Sequence, residues 1–354
     1  MSKRILYINA SHDTVSGAEY SLAANILSLN STFEPIIISP FGRSTQFFRE
    51  NTRAKVIALP LKKVNRRSCF NIIQNRKILA AEISKLAPDI VHANTTAARI
   101  ITPKAVCKEL IWQIRDHQPL PAVLFRELYK KSDKIAVISQ SIARYYDLAF
   151  TDKLYYLPPA FDVPKIDNFT HELEARDPNK RVIGLIAQYV PWKRHELFIE
   201  AVKRLPENYS GCLIGALSAE NRGYYEQVTY MAELSGRVET LPYTDKISDF
   251  FKKISCLTLT SKDEPFGRVI IEAYLARVPV VALKGGGVNE LVKDNETGIL
   301  LENESIDGIA NAIERITSDI ALKNRIVENA YNFALENFSL TAQRARLKNI
   351  YGED

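Results

Sequence analysis

The chain has 354 residues, more than one domain usually holds, and its 46% apolar and 25% charged residues are the balance of a globular protein, which excludes collagen, disorder and a disulfide scaffold. Cys69, Cys107, Cys212 and Cys256 lie far apart with no Cys-x-x-Cys pair, so they read as reduced thiols and no metal site is expected. The net charge of +6 is uneven: residues 1–165 hold 24 Lys and Arg against 13 Asp and Glu, whereas residues 166–354 hold 23 against 28, so the first half suits an anionic partner.

Met1-Ser2-Lys3-Arg4 leads into Ile5–Ala10, which is too short for a signal-peptide core and lacks a cleavage site. No stretch reads as a transmembrane span, so a cytoplasmic protein is expected.

Short β-branched runs then alternate with amphipathic stretches, the pattern of parallel sheets covered by helices. Strands are predicted at Arg4–Asn9, Pro35–Ser39, Lys55–Leu59, Asp89–Ala93, Leu110–Ile114, Lys134–Ile138 and Leu154–Leu157. Helices are predicted at Glu19–Leu29 and Arg76–Leu86, the latter with Ile78, Leu79, Ile83 and Leu86 on one face. The rhythm breaks at Pro158-Pro159 and resumes at Arg181, so residues 1–165 read as one domain and 166–180 as a linker. A second series follows over 181–338, with strands at Val182–Ala187, Cys212–Ile214, Val238–Leu241, Ile254–Thr260, Val278–Ala282 and Ile299–Leu301. The fold class is α/β, two Rossmann-like doubly wound domains, and a facing pair of these shares one cleft at the carboxyl ends of its strands.

The most informative segment follows Ile254–Thr260. Glu264 stands on the loop at the strand's end, Gly267 precedes the apolar run Val269–Leu275, and Glu272 lies more than a turn into that helix. Unpaired amides around Gly267–Val269, at the positive end of the helix dipole, suit a phosphate. A carboxylate accepts hydrogen bonds from vicinal sugar hydroxyls, so each Glu suits a hydroxyl-bearing part of one diphosphate ligand. Upstream, Lys193 in Gln188-Tyr189-Val190-Pro191-Trp192-Lys193-Arg194-His195 offers an ammonium to a developing diphosphate leaving group. Gly285-Gly286-Gly287 permits a tight turn and a close approach of backbone to phosphate or sugar.

Glu264-Pro-Phe-Gly-Arg-Val-Ile-Ile-Glu272, the following Ala273–Ala282 with its Pro279, and Gly285–Val292 together resemble the signature of retaining glycosyltransferases of family 4, which have the GT-B fold. Ser16-Gly17-Ala18-Glu19 resembles the family's Gly-Gly-Ala-Glu element, although a helix cap by Ser16 is the simpler reading of the serine. Residues 339–354 resemble the terminal helix that crosses back to the first domain. The match spans nearly the whole chain and is strongest over 182–301.

The resemblance implies catalytic roles for Glu264 and Lys193, with Glu264 by the transferred sugar and Glu272 on the ribose. It implies further donor contacts at Gly17, Gln188, Phe266, Gly267, Arg268 and Val269. Gln188 stands where family members often carry Arg, and Arg194 is a candidate substitute for that charge. The family often has a His or His-Asp pair near Arg115-Asp116-His117; His117 is the catalytic candidate, and Asn94, Arg115 and Asp116 are candidate acceptor or sugar contacts.

The resulting expectation is a retaining transfer of a hexose from a nucleotide sugar such as UDP-glucose to a glycan or lipid-linked acceptor in polysaccharide or exopolysaccharide synthesis. No cofactor, metal or nucleic acid is expected. Peripheral contact with the inner membrane face would run through the basic first domain, with Lys62, Lys63, Arg66 and Arg67 as candidates. A nucleotide-sugar epimerase and a non-catalytic nucleotide-sugar-binding module are the alternatives; a dehydrogenase fits poorly, because no Gly-x-Gly-x-x-Gly follows a strand.

Overall fold

A computed structural model describes residues 2–13, 15–64, 69–148, 151–163, 180–217, 219–244 and 247–352. The chain divides into two compact domains, one of residues 1–161 with 338–354 and the other of residues 162–337. Of the predicted linker 166–180, all but Lys180 lies outside the described residues, as do Arg66 and Arg67.

The first domain holds a seven-stranded parallel sheet. Its strands are β1 (Lys3–Ile8), β2 (Phe33–Pro40), β3 (Lys55–Leu59), β4 (Ile90–Ala93), β5 (Glu109–Ile114), β6 (Lys134–Val137) and β7 (Leu154–Tyr156), in the order β3-β2-β1-β4-β5-β6-β7. The two-residue period of β1 sends Ile5 and Tyr7 into one core and Leu6 and Ile8 into another, and all four are fully buried. Helices on both faces explain why the strand reads as an unbroken apolar run.

The helix Leu340–Tyr351 belongs to this domain. Ser339 caps it by accepting from the Ala342 amide at 3.2 Å. Gln343 donates to Asn25 Oδ1 at 2.6 Å and to the Pro158 carbonyl at 2.9 Å. Leu347, Ile350 and Tyr351 complete the core that contains Ile5 and Tyr7. At its carboxyl end, Lys134 Nζ donates to the Ile350 carbonyl at 2.6 Å and Lys3 Nζ donates to that of Tyr351, cations where the helix dipole is negative.

In the second domain the sheet has six parallel strands: β8 (Arg181–Ile186), β9 (Tyr209–Ile214), β10 (Val238–Leu241), β11 (Cys256–Leu259), β12 (Val280–Leu283) and β13 (Ile299–Leu301), in the order β10-β9-β8-β11-β12-β13. Ile183, Leu185 and Leu213 pack with Phe198, Val202, Ile309 and Ile313 from the helices His195–Arg204 and Ile306–Ser318. In both sheets the order reverses next to the first strand, between β1 and β4 and between β8 and β11. The carboxyl ends there are the crevice where doubly wound folds bind ligands.

Strand ends lie within three residues of their predicted positions, but one helix is misjudged. It runs from Cys69 to Leu86 rather than from Arg76, because its first turns carry exposed Phe70 and Ile73, which break the pattern of a buried face. No helix among the described residues is long and apolar enough to cross a membrane.

Candidate functional site

At the switch point of the second domain, two loops meet. The first leaves β8 through Ala187, makes a short 3-10 turn at Pro191–Lys193, and enters the helix His195–Arg204 through Arg194 in the left-handed region, at φ 56°. The second leaves β11 through Thr260 and ends at Gly267, which caps the helix Arg268–Leu275 at φ 97°. That conformation favours glycine, and no side chain caps the helix there. Lys262 N–H donates to the Trp192 carbonyl at 2.9 Å. The buried Thr260 hydroxyl shares its proton between the carbonyls of Lys193 and Arg194, both at 2.9 Å. Held by these bonds, the Lys193 ammonium forms an ion pair with the Glu264 carboxylate, the side chains being only 14% and 11% exposed. The same ammonium lies 4.1 Å from the ring centroid of Trp192, which is 41% exposed.

Glu272 projects from the helix that Gly267 caps and pairs with Arg268 at 3.2 Å, an i,i+4 pair on one face. Val269 is half-buried in the same first turn. A carboxylate–ammonium pair, a helix start without a side-chain cap, and a second carboxylate one turn on thus occupy one edge of the sheet. Positive charge and amide dipoles there suit a phosphate, and the glutamates suit hydroxyls.

Two glycines of Gly285-Gly286-Gly287 let backbone approach backbone closely: a Cβ on Gly286 would collide with the Glu264 carbonyl oxygen, and one on Gly287 would stand 2.6 Å from that of Pro265. Phe266 is buried at 4% exposure, so its ring packs into the domain. The Arg194 guanidinium pairs with Glu304. Gln188 is exposed.

In the first domain, Ser16 is the cap of the helix Gly17–Ser28: its amide and hydroxyl donate to Glu19 Oε2 at 2.8 and 2.7 Å, a capping box, and Gly17 is the exposed first helical residue. Asn94, fully buried at the end of β4, donates to the Ala18 carbonyl at 3.4 Å across the switch point. Arg115 Nε and Nη2 donate to the Asn94 carbonyl and Oδ1 at 2.8 and 2.6 Å. Asn94 and Arg115, both candidate sugar contacts, therefore brace one another. Asp116 is exposed on the next loop, and His117 Nε2 lies 3.2 Å from Ser141 Oγ with its ring 4.9 Å from that of Tyr145. Of the three, Arg115 is engaged by Asn94, whereas Asp116 and His117 lie outside that brace.

Sequence reasoning passed over Trp192 and Thr260. An aromatic beside the key lysine was a readable signal. Nothing in the order of residues announces that a strand-end hydroxyl ties down a loop 66 positions away.

Two doubly wound parallel domains with this switch-point site define the GT-B architecture, and solved structures agree. The crystal structure of Anabaena HepE in complex with UDP and glucose superposes with a TM-score of 0.81 at 20% identity, covering 99% of both chains. A glycosyltransferase from Rickettsia africae gives 0.81 at 19% identity over the full length of both. At such identities the likeness carries the fold. Residues 167–333, which make up most of the second domain, match the family model of glycosyl transferases group 1. The lipopolysaccharide core biosynthesis glycosyltransferase LpsE of Rhizobium meliloti is 30% identical over 161 residues, 46% of each chain. The chain spans about half the length of LpsE and of three other relatives that it matches by sequence.

Proposed function

We propose that the chain is a retaining glycosyltransferase of family 4 that moves a hexose from a nucleotide sugar, UDP-glucose or a similar UDP-hexose, to a glycan or lipid-linked acceptor in polysaccharide or lipopolysaccharide synthesis. The observation that carries this reading is the Lys193–Glu264 pair beside the helix start at Gly267. The diphosphate takes the Lys193 ammonium and the amides at Arg268 and Val269; Glu264 turns to the transferred sugar and Glu272 to the ribose. Breaking the glycosidic bond puts negative charge on the departing phosphate oxygen, which Lys193 stabilises while that oxygen removes the acceptor proton. His117 acts on the transferred sugar. In this reading these groups supply the positive charge without a metal. The UDP and glucose bound by HepE, and the core biosynthesis role in the name of LpsE, support the donor and the pathway class. Work at the cytoplasmic face of a membrane fits the basic first domain.

The test is incubation of the purified chain with UDP-glucose and a bacterial lipid extract, with and without EDTA. Transfer that survives EDTA, with the anomeric configuration of the donor kept in the product by NMR, is expected. Epimerisation of the donor without acceptor would make the chain an epimerase, and UDP binding without turnover would make it a binding module.

A further inference from the structure

The start of the helix Cys69–Leu86 sets two exposed apolar side chains among lysines. Phe70 is 73% exposed and Ile73, one turn on, is 55% exposed. With exposed Lys77 they occupy positions i, i+3 and i+7, one face of the helix. Beside them the Lys62 ammonium lies 5.8 Å from the centroid of the Phe70 ring, and Lys63 is also exposed.

These groups are held in place. The fully buried Asn75 accepts from the Lys62 amide and donates to the Lys62 carbonyl, both at 2.8 Å, and Asn71 donates to the Lys63 carbonyl at 3.0 Å. Main-chain bonds thus fix the two lysines against the helix and leave both side chains outward. The sequence around them is lopsided: residues 51–81 contain eight Lys and Arg and no Asp or Glu.

We propose that this face docks on an anionic lipid bilayer, with Phe70 and Ile73 entering the acyl boundary and Lys62, Lys63 and Lys77 meeting the headgroups. Charge alone fits any polyanion, but a nucleic acid or an acidic glycan gives no reward for two exposed apolar side chains, whereas a bilayer rewards both. Pairing of this face with itself in a second copy is disfavoured because it would bring like charges together. The proposal rests on the reading of the basic first domain as the membrane-facing part, and it does not depend on the transferase reaction.

The experiment is sedimentation of the full chain with vesicles of phosphatidylcholine, alone or mixed with phosphatidylglycerol, for the wild type, the double variant Phe70→Ser with Ile73→Ser, and the double variant Lys62→Glu with Lys63→Glu. The wild type binds the mixed vesicles and leaves the neutral ones. Each lysine near an anionic surface is worth about fivefold in partitioning, so the charge variant loses at least about 20-fold, and the apolar variant loses roughly tenfold. Unchanged melting temperature and circular dichroism certify the fold of both. Variants that bind like the wild type overturn this patch and leave the membrane reading intact. A wild type that ignores all vesicles but is retained on heparin overturns both, while donor turnover, measured separately, decides the transferase reading.

Discussion

The Glu264 carbonyl accepts a hydrogen bond from the Gly287 amide at 2.6 Å, so the glycine-rich loop after β12 holds the backbone of the glutamate whose carboxylate pairs with Lys193. Gly286, at φ 55°, has no room for a side chain against that same carbonyl. Gly286→Ala adds a left-handed penalty of about 1–2 kcal/mol to a collision with backbone that cannot swing aside. It should lower the denaturation midpoint and reduce transfer more than stability alone predicts, because Glu264 is displaced. Wild-type transfer per folded molecule would contradict this.

On the proposed function, Glu264 and a donor diphosphate compete for the Lys193 ammonium. Glu264→Gln removes the competitor, so UDP should bind severalfold more tightly by calorimetry. Sugar transfer should fall by roughly 100-fold or more, as is usual when a group that stabilises developing charge is lost. Lys193→Met should weaken both UDP binding and kcat. A Glu264→Gln enzyme with normal turnover would remove the carboxylate from the mechanism.

Thr260 is a positioning residue, since its hydroxyl reaches the carbonyls of Lys193 and Arg194 and not the reacting atoms. Thr260→Val keeps the shape and deletes the bond, which costs about 1 kcal/mol in stability. Because the freed loop carries Lys193, kcat should fall roughly tenfold while KM for the acceptor holds. Thr260→Ser should restore both, and failure of that rescue would point to packing alone.

The fold was largely legible because parallel strands buried on both faces, such as Ile5–Ile8, announce themselves as apolar runs whatever their neighbours. Glu264, Lys193 and the Gly267 cap were legible for a related reason: loops at strand ends carry chemistry, and a glycine before an apolar run marks a helix start. Partnership was not legible. That Arg115 braces Asn94, that Arg194 pairs with Glu304 and that Glu272 meets Arg268 depends on rotamers set by packing, on which spacing is silent. The exposed Phe70 was hidden by the same logic in reverse, since periodicity reports only faces that are buried.

Two histidines tie stability to pH. Burial drives the His92 imidazole down to about 3, with the Arg115 charge adding to the shift, and its Nδ1 is 2.8 Å from the hydroxyl of Tyr351, itself bonded to Tyr7. Burial likewise brings His195 to about 4, with the Lys193 charge contributing; its ring stacks on Tyr189 and its Nδ1 lies 3.3 Å from the Tyr224 hydroxyl. Both folded values lie below the unfolded value of about 6.5. The unfolded chain therefore binds more protons once the pH falls below 6.5, and each histidine withdraws stability from there down to its folded value. At about pH 5 the loss is on the order of 2 kcal/mol for each. His12, shifted in the same direction, adds to the slope. Urea midpoints should thus fall steeply between about pH 7 and about pH 5. His92→Gln, which keeps a polar group near Tyr351 but cannot titrate, should start less stable and lose distinctly less over the same interval. An unchanged slope in that variant would mean that His92 is protonated in the folded chain.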